Sequence, residues 1–306
     1  MDSKMILITG IGGYIGSNLA SHLAGDYKIR GLGRDTKFDL VKEGVPQAEL
    51  INADISDEKS VTEAVSGTDV VIHTAAPLKE SFCRENNKKA RAAIVYGTDY
   101  VAKAAKKEGA LLIHISTQAV YGTHKGRELP LSEGDDLLPD TEYGRLKFDA
   151  EKVALENNAL VLRLAYVYGK GWVVPMQDNF VIGKFIELAR QGENLTINGD
   201  GTTLVDFIHI KDLSELIAHL IENQPTLPEV YNVGSGNPIS LLDIARVIQE
   251  KTKRELGKNI KVNTKEVDKK LYSRFLDIKK IKKIMPSFPN TTFNQGIEDL
   301  IKNNHG

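Results

Sequence analysis

A doubly wound α/β fold, a parallel sheet with helices on both faces and a smaller interleaved C-terminal lobe, is predicted by three observations. Short apolar runs recur along the first half of the chain, at 5–9, 28–32, 49–53, 69–73, 111–116 and 160–164. Longer amphipathic stretches separate them. The first run breaks into "TGIGGYIG", which sets three glycines between a strand pattern and a helix pattern. Apolar runs this short, with helices between them, read as buried parallel strands in successive strand–helix–strand units.

The elements follow in order. "MILIT" opens the sheet and "KIRGL", "ELINA", "DVVIH", "LLIHIS" and "LVLRL" continue it. The connecting helices are clearest at 16–24, 59–66, 88–107 and 143–157, each with one apolar and one charged face. Beyond Leu164 the rhythm changes, and residues 166–205 lack strict alternation. "LVDFIHIKDLSELIAHLIEN" then gives a strand and a helix, and "EVYNVGSGNPISLLDIARVIQ" a strand, a glycine turn and a helix. Ser240 suits the N-cap of that last helix, and Asp243 in its first turn favours the helix dipole. The expected organisation is a sheet domain over 1–165, to which 205–232 returns, and a lobe made from 166–204 and 233–306, with no flexible linker between them.

Composition narrows the function classes. With 306 residues, 41% hydrophobic and 26% charged, the chain can bury a large core. Forty basic against forty-one acidic residues leave a formal charge of -1, so no global field points to nucleic acid or an anionic membrane. Cys83 is the only cysteine, which excludes an internal disulfide, and it reads as a small, partly buried residue. His73, His114 and His209 lie on apparent strands without metal-ligand spacing, so they are expected in the core or at strand ends, and no metal is expected. No signal-peptide pattern or membrane-length segment is visible, which makes the cytoplasm the expected compartment. The lysine-rich stretch at 251–283 reads as a solvated face.

Gly10, Gly13 and Gly16 let the backbone turn tightly, approach a pyrophosphate and pack the following helix on the sheet, while the helix N-terminus favours an anion. At the first strand–helix junction of a doubly wound pattern this predicts a Rossmann dinucleotide site. At the end of the second strand, where an acid would bond the ribose of NAD, the chain has Gly33 and Arg34. An arginine there suits a 2′-phosphate, so the reading favours NADP, with NAD the alternative. Asp54, after the third strand, can accept from the adenine amine or serve as a helix cap.

"TEYGRLK" places Tyr143 and Lys147 four residues apart, on one face of a predicted helix. That spacing alone decides nothing. Taken with "TGIGGYIG", "DVVIHTAA", "HISTQAVYG", "LRLAYVYG", "NGDGTTLVDFIHIKDL" and "YNVGSGNPISLLDIA", in this order over nearly the whole chain, it resembles the extended short-chain dehydrogenase/reductase family, the NAD-dependent epimerase/dehydratases. The resemblance implies an NAD(P)-dependent enzyme acting on a carbonyl or secondary alcohol of a nucleotide-activated sugar. Tyr143 is then the catalytic acid or base, its pKa brought toward neutrality by Lys147 and the oxidised nicotinamide. Lys147 also bonds the nicotinamide ribose, and Thr117 holds the reacting oxygen, with Ser116 the alternative. Cofactor contacts are implied at Gly10, Gly13, Tyr14, Ile15, Gly16, Arg34, Asp54, Ile55, Thr74, Ala75 and Ala76, and substrate contacts at Thr117, Tyr166, Asn179 and Arg274. Similar enzymes pair the helices matching 88–108 and 143–157 with a second copy, so a homodimer is expected.

Departures from the family pattern narrow the reaction. The sugar 4,6-dehydratases usually carry Asp-Glu where this chain has Gln118 and Ala119, which argues against dehydration. Sugar epimerases commonly carry Asn and Arg where Tyr166 and Val205 stand, and an aromatic at the first position resembles keto-sugar reductases. Ile94 replaces the family's usual Asn. Keto-sugar reductase is the leading expectation and C4 epimerase the alternative; a non-catalytic dinucleotide sensor is disfavoured by the retained Thr117, Tyr143 and Lys147.

Overall fold

The computed structural model describes residues 3–34, 37–123, 126–171, 181–267 and 272–302. Their strands are β1 (Met5–Thr9), β2 (Lys28–Gly33), β3 (Glu49–Asn52), β4 (Val70–His73), β5 (Leu111–Thr117), β6 (Leu160–Leu164), β7 (Tyr166–Tyr168), β8 (Leu195–Asn198), β9 (Leu204–Val205), β10 (Phe207–His209), β11 (Glu229–Val233), β12 (Ile239–Ser240) and β13 (Val262–Lys265). Seven of these form one parallel sheet in the order β11, β6, β5, β4, β1, β2, β3. Strand order reverses between β1 and β4. In a doubly wound sheet that reversal opens a crevice at the carboxyl ends of the strands, where ligands bind.

Alternation within the apolar runs explains the layers. Ile6, Ile8, Ile72, Ile113 and Leu162 face one side, where the helices Tyr14–Leu23 and Ile210–Glu222 bury Leu19, Leu23, Leu213 and Leu220. Leu7, Val71, Leu112 and Val161 face the other, against the helices Glu58–Val65 and Gly97–Glu108. Because both faces are covered, the strands read as continuous apolar runs.

The expected helix at 88–107 is built in three pieces: an α-helix at Asn87–Arg91, a π-helical stretch at Ala92–Tyr96 and an α-helix at Gly97–Glu108. Periodicity cannot distinguish a π bulge from a regular helix, since apolar spacing changes little over a single turn. The stretch at 166–205 contains β7, the helix Val181–Gln191 and β8. The pairs β7–β10, β9–β12 and β8–β13 join segments distant in sequence, which a local pattern does not reveal. A separate apolar cluster around Phe185, Leu195, Ile244, Ile248 and Ile297 forms the core of these C-terminal segments. Ser240 caps the helix Leu241–Leu256, its Oγ accepting from the Asp243 amide at 3.0 Å. Among the described residues no helix is long and apolar enough to cross a membrane.

Candidate active site

The glycine turn follows β1, at the reversal of strand order. Gly10 has φ +71°, and a Cβ there would sit 2.9 Å from the Ala75 Cα and 3.0 Å from the Thr74 hydroxyl. Only glycine fits both the dihedral and the space. A side chain at Gly16 would strike the Gly10 carbonyl, so that glycine sets how closely the helix approaches the turn. Gly13, the N-cap, is exposed, and the first helical turn carries no acid, leaving the positive helix end open to an anion. Thr74 and Ala75 close the crevice from β4: the Thr74 hydroxyl donates to the Thr9 carbonyl at 2.6 Å, and the Ala75 amide to the Thr9 hydroxyl at 3.3 Å. These residues form a cradle that fits a dinucleotide pyrophosphate. Tyr14 and Ile15 pack partly into the core, and the Tyr14 phenol donates to the Gly169 carbonyl at 2.9 Å, tying the turn to the segment after β7.

At the adenosine end Arg34 is exposed and close enough to Asp54 to favour its charged form. The Asp54 carboxylate already accepts from the Ser56 amide at 2.9 Å and the Ser56 hydroxyl at 2.6 Å, and these bonds hold its pKa below the usual range. Asp54 closes a local turn, and Asp57 takes the helix-capping role that sequence had left open to Asp54. Ile55 is buried, with Gly97 packed against both its side chain and its carbonyl.

The "TEYGRLK" segment starts the helix Glu142–Glu156. Thr141 caps it, accepting from the Gly144 amide at 3.0 Å. A second cap comes from outside the helix: the Glu80 carboxylate accepts the Glu142 amide at 3.0 Å and the Tyr143 amide at 2.8 Å. Sequence reasoning missed Glu80, because nothing in "PLKESFC" signals a cap for a helix sixty residues away. Tyr143 is partly exposed, and its ring packs in a cluster with Ala76, Cys83 and Leu146. Cofactor-side and catalytic-side expectations therefore meet at Ala76 and Tyr143. Cys83 is fully buried, and its thiol is pushed up to about 11 by burial and by Glu80 and Glu142, which excludes a reactive thiolate near neutrality.

Thr117, the last residue of β5, is partly exposed, while Ser116 is buried and donates its hydroxyl to Glu151. The adjacent positions point to opposite faces, which favours Thr117 over Ser116 for the reacting oxygen. Glu151 lies one helical turn beyond Lys147 and pairs with buried Arg163 of β6 at 2.9 and 3.1 Å. Arg163 also donates to the Tyr121 hydroxyl at 2.9 Å, and that hydroxyl donates to Asn232 at 2.8 Å. This network fastens the Tyr143–Lys147 helix to the strand carrying Thr117. In sequence it appears only as a polar residue inside "LVLRL".

Lys147 is buried and pushed down to about 8 by that burial, with Glu151 opposing. Its ammonium donates to the Ile115 carbonyl at 2.7 Å and approaches His114 Nε2 at 3.2 Å. Burial and the neighbouring Cys83 push the Tyr143 phenol upward. Lys147 does not lower the Tyr143 pKa in the protein alone, contrary to expectation, so the lowering would have to come from a bound positive group. His73 is buried between the Thr9 and Thr98 hydroxyls and pushed down to about 3 by burial; His209 ends β10 and caps the helix Ile210–Glu222.

On the substrate side, Arg274 donates to the Tyr166 hydroxyl at 3.3 Å, so two residues 108 positions apart meet. The Arg274 Nε is buried without a hydrogen-bond partner. Gln118 is buried beside Thr117, and both polar atoms of its side chain lack a partner. Asn179 lies outside the described residues.

A family model described as the NAD dependent epimerase/dehydratase family matches residues 6–234. The chain belongs to that family. Within the epimerase/dehydratase family it is similar to a putative UDP-glucose 4-epimerase of Methanocaldococcus jannaschii, 30% identical over 98% of this chain and 99% of that protein. A trifunctional UDP-glucose 4,6-dehydratase/3,5-epimerase/reductase of Arabidopsis thaliana is 28% identical over 96% of this chain, which spans only 46% of that longer protein. Among solved structures, the UDP-glucuronic acid 4-epimerase of Bacillus cereus, in complex with UDP-glucuronic acid and NAD, is 25% identical and superposes with a TM-score of 0.81 over 96% of this chain and 97% of that one. The Bacillus cereus structure shares the fold described above.

Proposed function

We propose that the chain transfers a hydride at a carbonyl or secondary alcohol of a nucleotide-activated sugar, and that it works as a keto-sugar reductase. The supporting observation is Tyr166, an aromatic where sugar epimerases commonly carry Asn, whose hydroxyl accepts from Arg274 at 3.3 Å in a chain that keeps Thr117, Tyr143 and Lys147. Thr117 orients the substrate oxygen, Tyr143 delivers its proton to that oxygen, and Lys147 holds the ribose side of the cofactor. The dinucleotide, when bound, supplies the hydride. Gln118 and Ala119 offer no acid–base pair for dehydration, and Arg274 beside Tyr166 suits a substrate phosphate.

The Gly33–Arg34 pair supports the same reading. An epimerase returns the hydride to its own substrate and gains from retaining NAD, whereas this site lacks a carboxylate at Gly33 and Arg34 to grip the ribose. A reductase exchanges its cofactor at each turnover. Arg34→Ala should weaken NADP(H) binding about 10- to 150-fold more than NAD(H) binding, the lower end fitting an exposed site. Gly33→Asp should also shift preference toward NAD(H), and a Cβ there meets nothing closer than 3.9 Å among the described residues, so a side chain can start at that position without a clash. Titrating both cofactors at fixed ionic strength decides the matter, since equal losses on removing Arg34 would end the case for NADP.

The C4 epimerase remains the second reading, favoured by the Methanocaldococcus relative that matches end to end. Mass spectrometry of the cofactor surviving gentle purification separates the two: retained NAD supports the epimerase, and an empty site with NADPH affinity the reductase. The assembly proposed is a homodimer through the helices Gly97–Glu108 and Glu142–Glu156, near which Tyr96 is 50% exposed. A monomeric mass by light scattering at micromolar concentration would contradict it.

A further inference from the structure

Two groups lie within hydrogen-bond distance of the Lys147 ammonium. One is the Ile115 carbonyl, 2.7 Å from Nζ, and the other is Nε2 of His114, at 3.2 Å. His114 is fully buried in β5 and directly opposite His73 of β4. Its second ring nitrogen, Nδ1, is buried with no hydrogen-bond partner. Buried polar atoms are almost always paired. His73 follows that rule, with both nitrogens on threonine hydroxyls at 2.7 and 3.0 Å. His114 breaks it on the side away from the lysine, so among the described residues its ring's one hydrogen-bond contact is the lysine itself.

A neutral imidazole carries one proton, on one nitrogen or the other. While Lys147 is an ammonium, Nε2 must be the bare acceptor and the ring proton must sit on Nδ1. Once Lys147 is a neutral amine, the ring can carry its proton on Nε2 and donate it to the lysine. We propose that His114 is a positioning residue for Lys147: its Nε2 and the Ile115 carbonyl fix the ammonium where its remaining donor reaches the dinucleotide ribose, and the ring tautomer follows the charge of the lysine. This rests on the assignment of Lys147 to the cofactor made above.

The titratable and charged groups bearing on the pair come from three elements. The helix Glu142–Glu156 supplies Lys147 itself and Glu151, β6 supplies Arg163, which pairs with Glu151, and β4 supplies His73, which burial keeps neutral. Burial holds His114 neutral as well, with Lys147 adding to the effect. Since Lys147 is pushed down to about 8, its ammonium is present below that pH and lost as pH rises through it. Dinucleotide affinity should fall over the same range. Removing the Nε2 acceptor makes the charged form less favourable, so the fall should begin at a lower pH.

The test combines two readouts. Nitrogen NMR of the histidine rings in dinucleotide-free protein reads the tautomer, and NAD(H) and NADP(H) titrations across roughly pH 6 to 9 read the lysine. We expect Nε2 of His114 to be unprotonated near neutrality and to gain its proton as Lys147 loses its own. His114→Leu should weaken dinucleotide binding about 10-fold at neutral pH and shift the pH profile downward. His114→Gln, whose carbonyl can stand near the position of Nε2, should restore most of both. A ring protonated at Nε2 throughout, or a Leu variant with wild-type affinity and profile, overturns the proposal. Should the Leu variant fail to fold, the NMR result and the Gln variant still decide. Lys147→Met separates the two levels: wild-type binding in that variant would defeat the cofactor assignment and this inference together, whereas weakened binding there with an unaffected His114→Leu defeats this inference alone.

Discussion

Tyr143→Phe should lower turnover by about 100- to 10,000-fold, the range that general acid–base groups contribute, while leaving dinucleotide affinity nearly unchanged. The ring's role is apolar: it packs among Ala76, Cys83 and Leu146, and phenylalanine keeps that packing. Its backbone role is also kept, because the Glu80 carboxylate caps the helix through the amide of residue 143. What the variant loses is the proton that must reach the substrate oxygen. The loss should appear in kcat, since the interaction acts on the reacting atoms. Steady-state kinetics alongside cofactor titration checks this, and a variant turning over at the wild-type rate would remove Tyr143 from the mechanism.

Arg163→Met should destabilise the fold by about 3–5 kcal/mol, the cost of stranding one partner of a buried ion pair. Glu151 is 1% exposed and would keep its carboxylate without the guanidinium that donates to it at 2.9 and 3.1 Å. Ser116 would be its one remaining side-chain donor among the hydrogen bonds described, and Tyr121 would lose the bond that Arg163 gives it. Replacing both charges, Arg163→Met with Glu151→Leu, should recover much of the loss, because a well-packed apolar pair carries no desolvation cost. Denaturant unfolding of the two singles and the double measures the coupling. Additive losses would mean that the pair contributes nothing as a pair. Because Glu151 shares a helix with Lys147 and Ser116 adjoins Thr117, turnover should fall in the single variants even where they remain folded.

The sheet was legible because it is buried on both faces. Strands such as "MILIT" and "LVLRL" are buried along almost their whole length, and they begin and end where expected. The glycine turn was legible for a related reason: Gly10 and Gly16 occupy places that admit no side chain, and such constraints leave a mark in sequence. The segments at 166–205 were not, since β7, β8 and β9 pair with residues far along the chain and carry little local signature. Within the site, Tyr143, Lys147 and Thr117 were picked out by the resemblance of the ordered motifs to the family, since the spacing of Tyr143 and Lys147 alone decided nothing. Glu80 and Arg163 act through contacts across the fold, and His114 looked like an ordinary core histidine until its empty Nδ1 and its distance to Lys147 were known.

We propose that one site, at the carboxyl ends of β1, β4 and β5, brings a dinucleotide and a nucleotide-activated sugar together for hydride transfer. Incubating the protein with NADPH deuterated at the transferable position and a panel of nucleotide keto-sugars, then weighing the sugar products, tests it most directly. Deuterium in the reduced sugar with the wild type, and none with Tyr143→Phe, is the predicted result. Turnover of a nucleotide sugar by protein stripped of every dinucleotide, or wild-type deuterium transfer by Tyr143→Phe, would contradict it.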